Sequence, residues 1–207
     1  MRKLIETTFV TLDGVIQDTT PSTTPQAEPS VWGAPFWDDD HADYAESLLF
    51  QSDALLLGRV TYQTLSKTWP SRTGKFADRI NAMPKYVASK TLDNPLKWNA
   101  KVIDGDLAEE VARLKEQPGQ SILKYGTGEI DRVLLANGLI DEFHFWLFPV
   151  SVGSGLHLFD GYDAHLRLTG ARTLSSGIIV LTYEPDRERS TEGAKAAEMF
   201  KKVYAPR

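Results

Sequence analysis

The sequence predicts a three-layer α/β fold built on a mixed, mostly parallel central sheet, with antiparallel strands added at the C-terminal end. Three observations carry that expectation. From Lys3 to Leu139, short runs rich in β-formers alternate with segments of helical period, the pattern of βα units around parallel strands. Glycine stands where two of those runs turn into helices, in "LLLGRVTY" and "LKYGTGEI". After Leu139 the alternation stops, and consecutive strand-like segments follow that hairpins can join.

Each element has a local reason. Lys3 to Thr11 is a first strand that closes on the turn pair Asp13-Gly14. Residues 17–30, "QDTTPSTTPQAEPS", are polar, proline-studded and without apolar period, so a mobile loop is expected there, followed by the aromatic group Trp32, Phe36 and Trp37. Asp38 is a candidate N-cap for a helix from Asp39 to Gln51, with Ala42, Ala45, Leu48 and Leu49 on one stripe and Asp39, Asp43 and Glu46 on another. A buried strand Ala54 to Leu57 leads through Gly58-Arg59 into a helix reaching Leu65. "KYVASK" and "AKVID" read as short strands, and Asp106 with Glu109 as a capping box for a helix that buries Leu107, Val111 and Leu114. Ser121 to Tyr125 is a strand, Gly126-Thr127-Gly128 a turn, and the next helix stops at Gly138. "DEFHFWLFPV" is a long apolar strand, and two more strands flank Ser175-Ser176-Gly177. Residues 186–207 form a charged extension with a weak apolar stripe, beyond a domain expected over 1–185.

Composition narrows the function. The chain has 207 residues, 42% hydrophobic and 25% charged, enough for one sizeable core. Its formal net charge of -5 disfavours nucleic acid and anionic membrane as partners, so any phosphate site must be a local basic patch. Absence of cysteine excludes disulfides, thiolate nucleophiles and Cys-ligated zinc, and the four histidines show no metal spacing, so no metal is expected. Neither a signal segment nor a membrane span is visible, and the expected location is the cytoplasm.

The two glycine corners are the strongest chemical signals. A helix N-terminus offers unpaired N–H groups and partial positive charge, and glycine removes the Cβ that would hold a phosphate away. Gly58, Arg59 and Thr61 at one corner, and Gly126, Thr127 and Gly128 at the other, could hold a pyrophosphate between them; equally, a β-Gly-α corner is ordinary turn chemistry. The Rossmann G-x-G-x-x-G fails because Asp131 occupies its last glycine position. Ser89 and Lys90 follow a strand and either complete the set or form a polar loop. Asp43 is a candidate catalytic carboxylate or part of a solvated face, and Asp13 a candidate acid or a turn residue. Trp32, Phe36 and Trp37 line a flat ligand's pocket or anchor the loop.

In this order, "TTFVTLDGVI", "WGAPFWDDD", "LLLGRVTYQTL", "YVASKTL", "LKYGTGEI" and "IDEFHFWLFPVSVGSGLHLFDG" resemble the dihydrofolate reductase superfamily. They are closest to the C-terminal reductase domain of the bifunctional riboflavin-biosynthesis deaminase-reductase and its stand-alone relatives. The resemblance covers roughly Lys3 to Glu184 and implies a dihydrofolate reductase-like fold with NADPH as cofactor. It implies that Gly58, Arg59 and Thr61 meet phosphate, that Ser89 and Lys90 lie near the adenosine 2'-phosphate, and that Gly126, Thr127 and Gly128 lie near the pyrophosphate. It implies a small heteroaromatic substrate and a homodimer to which the apolar 142–150 region contributes. A true dihydrofolate reductase and a nucleotide-binding protein without turnover are the rival readings.

Overall fold

The computed structural model describes residues 1–17 and 32–189. The loop expected over 17–30 therefore lies outside the described residues from 18 onward, as does the extension from 190. The strands are β1 (Leu4–Thr11), β2 (Val15–Gln17), β3 (Ser52–Gly58), β4 (Lys85–Ala88), β5 (Ala100–Val102), β6 (Ser121–Tyr125), β7 (Glu142–Phe148), β8 (Leu156–His157), β9 (Leu166–Thr173) and β10 (Ile179–Pro185). The helices are α1 (Asp39–Phe50), α2 (Arg59–Thr68), α3 (Lys75–Ala82), α4 (Leu107–Glu116) and α5 (Glu129–Ala136).

Eight strands pair in the order β5-β4-β3-β6-β1-β7-β10-β9, while β2 and β8 pair separately. All neighbours from β5 to β7 are parallel, and β10 runs antiparallel to both β7 and β9, as the alternation and its cessation predict. Strand parity sorts the core into two layers. Ile5, Leu55, Leu57 and Leu123 pack with Leu48 and Leu49 of α1, Tyr62 of α2 and Ile80 of α3. Leu4, Ala54, Leu56 and Ile122 pack with Val111 and Leu114 of α4 and Leu134 of α5 on the other face. Burial on both faces is why these strands read as continuous apolar runs.

Several local expectations need correction. The apolar stripe of α1 runs through His41, Leu48 and Leu49, whereas Ala42 is exposed, because the helical period carries the stripe to position 41. Asp106 does cap α4 as expected, accepting from the amides of Ala108 and Glu109. Helix α3 and the β2–β8 pair were not anticipated; α3 is only eight residues long, too short for its period to stand out. Within the 142–150 region β7 lies between β1 and β10 with Phe143, Phe145, Trp146 and Phe148 buried, while Pro149 is exposed.

Two polar networks cross this core. In the α4–α5 layer, Glu6 of β1 stands in register with Lys124 of β6. Glu6 and Asp131 are 0% exposed and Lys124 1%. Lys124 Nζ lies 2.6 Å from Asp131 and 3.2 Å from Glu6, and also donates to the Gly126 carbonyl. Asp131 accepts from the Gly128 amide at 2.5 Å. Burial raises the Glu6 pKa well above the carboxylate range, with Asp131 adding to that effect and Lys124 opposing it. Burial thus favours the neutral form of Glu6 beside the Lys124–Asp131 contact. In the other layer the hydroxyl of Tyr44 bonds His144 Nδ1 at 2.8 Å, His144 Nε2 meets Glu142 at 2.6 Å, and Lys3 donates to Glu142 at 3.0 Å. This chain of contacts links α1 to β7 and the start of β1.

Removing one member of a buried ion pair strands the other. Lys124→Met should cost about 3–5 kcal/mol in urea unfolding, and the triple change Glu6→Leu, Lys124→Met, Asp131→Leu should recover much of that loss. Glu142 gives a pH signature. Its pKa is lowered to about 2, first by the bond to His144 and then by Lys3, against the opposing effect of burial. A depressed carboxylate contributes stability that is full above its unfolded value near 4.5 and disappears as pH falls through about 2. Thermal melts between those pH values should therefore fall more steeply for the wild type than for Glu142→Gln.

Candidate functional site

Strands β4, β3 and β6 are parallel neighbours, so their C-terminal ends reach the same edge of the sheet. That edge gathers Gly58-Arg59, Ser89-Lys90 and Gly126-Thr127-Gly128, three segments distant in sequence. The two glycine corners adjoin: a Cβ placed on Gly126 would lie 3.7 Å from the Thr61 hydroxyl. Gly126 has φ +71°, a left-handed conformation that favours glycine, and its amide bonds the Thr7 carbonyl of β1 at 2.9 Å.

Gly58 and Gly128 are glycines for another reason. Gly58 has φ -73° and Gly128 φ 166°, both ordinary for any residue, and a Cβ on either would meet nothing within 4 Å. Neither the local backbone nor the packing requires glycine, which leaves open space beside two helix starts. Next to Gly128 the Thr127 hydroxyl is buried with no hydrogen-bond partner among the described residues. Asp131 already occupies the Gly128 amide, so that donor serves the turn itself. Ser89 Oγ accepts from the amides of Thr91 and Leu92, which fixes its loop and leaves its proton to donate. Arg59 and Lys90 are exposed, and the Arg59 guanidinium donates to Gln63 one helical turn along. Free space, hydroxyls, helix starts and two cations suit the phosphates of a dinucleotide.

A second surface begins one residue away. Thr7, whose carbonyl holds Gly126, accepts through its hydroxyl from Trp146 Nε1 at 2.8 Å. Trp146 opens an aromatic cluster. Its ring lies 4.8 Å from His41, which also packs edge-on to Phe9 at 5.5 Å and Trp37 at 5.8 Å. Trp32 and Phe36 set their rings against Phe148 at 5.1 and 5.9 Å. All three aromatic residues singled out from the sequence therefore join one cluster beside the glycine edge. The start of α1 is held there by Ser175, whose amide bonds Asp40 and whose hydroxyl bonds Asp38 and Asp40.

The two candidate acids do not join it. Asp13 accepts from the hydroxyls of Thr11 and Ser151 and the amides of Val152 and Gly153. These bonds, Thr11's foremost, hold its pKa far below the usual range, so the carboxylate latches two loops and has no proton to give. Asp43 is exposed on the outer side of α1. Sequence reasoning missed His41, Thr7 and the Lys124–Asp131 support. The available signals were polar residues interrupting apolar runs: Glu6 and Thr7 in the first strand, Lys124 in "ILKY".

The chain is 30% identical over 142 residues to YyaP of Bacillus subtilis (strain 168), described only as uncharacterized, covering 65% of this chain and 75% of that one. The crystal structure of a pyrimidine reductase-like protein from Corynebacterium diphtheriae superposes with a TM-score of 0.62 at 15% identity, covering 90% of this chain and 93% of that one. A diaminohydroxyphosphoribosylaminopyrimidine deaminase/5-amino-6-(5-phosphoribosylamino)uracil reductase from Thermotoga maritima superposes with a TM-score of 0.60 at 15% identity, covering 89% of this chain and 57% of that longer one. These structures share the fold. Residues 2–180 match the RibD C-terminal domain, a span that takes in the glycine edge and the aromatic cluster, and the chain belongs to that family.

Proposed function

We propose that the protein is an NADPH-dependent reductase of a small heteroaromatic compound, similar in chemistry to the uracil reductase named above. One observation carries this reading: at the C-terminal edge of a parallel sheet two adjoining helix starts carry glycines that the chain itself does not need, and the Thr127 hydroxyl next to one of them is buried without a partner among the described residues. NADPH, when bound, supplies the hydride. Gly58, Thr61, Thr127 and Gly128 cradle its pyrophosphate, while Arg59, Ser89 and Lys90 meet the adenosine 2'-phosphate. Thr7 and the turn at Gly126 fix the height of the glycine edge against the aromatic cluster, where Trp32, Phe36 and Trp37 face the substrate and exclude water. Asp13 acts by holding its loops and Asp43 is left in solvent, so neither carboxylate is part of the proposed chemistry.

A charge-assisted bond to phosphate contributes about 1.5–3 kcal/mol, or roughly 10- to 150-fold in affinity. Arg59→Ala should weaken NADPH by that factor and NADH by less, with the preference shrinking as salt rises. Fluorescence titrations of both cofactors at two ionic strengths test this; equal wild-type affinities would remove the 2'-phosphate assignment. Gly128→Val tests the cradle. Because the added side chain enters open space from an ordinary backbone conformation, the melting temperature should barely move while NADPH affinity falls sharply. A large loss of stability with unchanged affinity would make the turn purely structural.

A further inference from the structure

Away from the glycine corners the protein holds a cavity of about 270 Å³ whose walls include Arg132, Leu135, Tyr162, Asp163, Pro185 and Arg187. β10 runs antiparallel to β7 and pairs Tyr183 with Phe143, so its last residues lie where the parallel strands begin, at the sheet edge opposite the glycines. The cavity lies there, between the later part of α5, the loop before β9 and the end of β10. The Arg187 guanidinium donates to the Gly138 carbonyl at 2.8 Å, and a Cβ on Gly138 would lie 2.8 Å from the same nitrogen. Glycine at this helix stop therefore admits the arginine, whose fork carries further N–H donors. The Arg132 guanidinium has no partner among the described residues, and neither does the buried hydroxyl of Tyr162. Of the two acids on the cavity wall, Asp186 accepts from the Arg189 amide at 3.1 Å and faces its guanidinium at 3.7 Å. The other, Asp163, has no partner among the described residues.

We propose that this cavity is a second binding site, separate from the glycine edge, for a small monocarboxylate with an apolar body, held by Arg132, Arg187 and the Tyr162 hydroxyl. Arginine presents its N–H groups in a fork that matches a carboxylate. Burial pushes the Tyr162 pKa up, and the charges of Asp131 and Glu6 add to that, so its hydroxyl keeps its proton and remains a donor. Leu135, Pro185 and the ring of Tyr162 supply the apolar wall. Asp163 sets the charge of the guest. With Asp186 matched by Arg189, two guanidinium groups stand against one free carboxylate, a surplus that a single negative charge balances. A phosphate dianion would overshoot that balance and be opposed by Asp163.

Benzoate serves as the probe, with its neutral isostere benzamide and inorganic phosphate as comparisons, titrated by calorimetry into the full chain at about pH 8, where an ordinary imidazole is uncharged. The variants are Arg132→Gln, Arg132→Lys, Tyr162→Phe and Ala136→Trp. Ala136 lines the cavity and is exposed, so tryptophan there fills the space without entering the core. The wild type should bind benzoate saturably, and benzamide and phosphate more weakly. Loss of one charge-assisted bond in Arg132→Gln should weaken benzoate by roughly 10- to 150-fold. Arg132→Lys, which keeps the charge without the fork, should lose less, and Tyr162→Phe should weaken benzoate as well. Ala136→Trp should abolish binding. Excess NADPH should not displace benzoate. No binding by the wild type, equal affinity for benzamide, tighter binding of phosphate, or full affinity in Arg132→Gln or Ala136→Trp would overturn the site. Displacement by NADPH would do the same, by placing benzoate at the glycine edge. Failure of the protein to bind NADPH, with the benzoate pattern intact, would overturn the reductase reading and leave this site standing.

Discussion

Lys124 is the side chain on which the geometry of the glycine edge depends. A lysine in the middle of a parallel sheet would be excluded from an apolar layer unless its charge were met there, and Asp131 meets it. The pair then reaches the two ends of one turn. Lys124 holds the carbonyl of Gly126 and Asp131 the amide of Gly128, so the residue between them, Thr127, is suspended from beneath. Glu6 enlarges the support, and burial favours its neutral form there. A loop that would otherwise be set by two glycines, each free to wander, is set by an ion pair inside the core.

The same strand that carries Glu6 into this cluster carries Thr7 to the opposite layer. Alternation along β1 therefore couples the underside of the glycine turn to the aromatic cluster through adjacent residues. Thr7 bonds Gly126 through its backbone and Trp146 through its side chain. The spacing between the two halves of the site is set by one residue of a strand buried on both faces, where displacement is resisted by packing above and below.

Much of this was legible in the sequence, and the parts that were not share a cause. The βα alternation, the glycine corners and the aromatic group all leave local traces, in period or in composition, and the structure brings them to one edge. The sequence left Asp13 and Asp43 open between an acid and a turn or solvated role, because a carboxylate's use depends on which donors surround it, and Ser151, Val152 and Gly153 lie far along the chain from Asp13. His41 was passed over because a helix stripe was traced through Ala42, one position away. The Lys124–Asp131 pair was hidden in a different way: Asp131 was noticed only for failing to be a glycine, yet its carboxylate secures the glycine turn in that motif's place.

The bonds from Ser175 to Asp38 and Asp40 join the turn between β9 and β10 to the start of α1. The ribosome makes the aromatic segment and α1 early, and the hairpin that clamps them well over a hundred residues later. On a nascent chain the glycine corners can be in place while the aromatic wall still lacks its clasp. The two halves of the proposed site are then completed at different moments of synthesis, the glycine corners before the clasped aromatic wall.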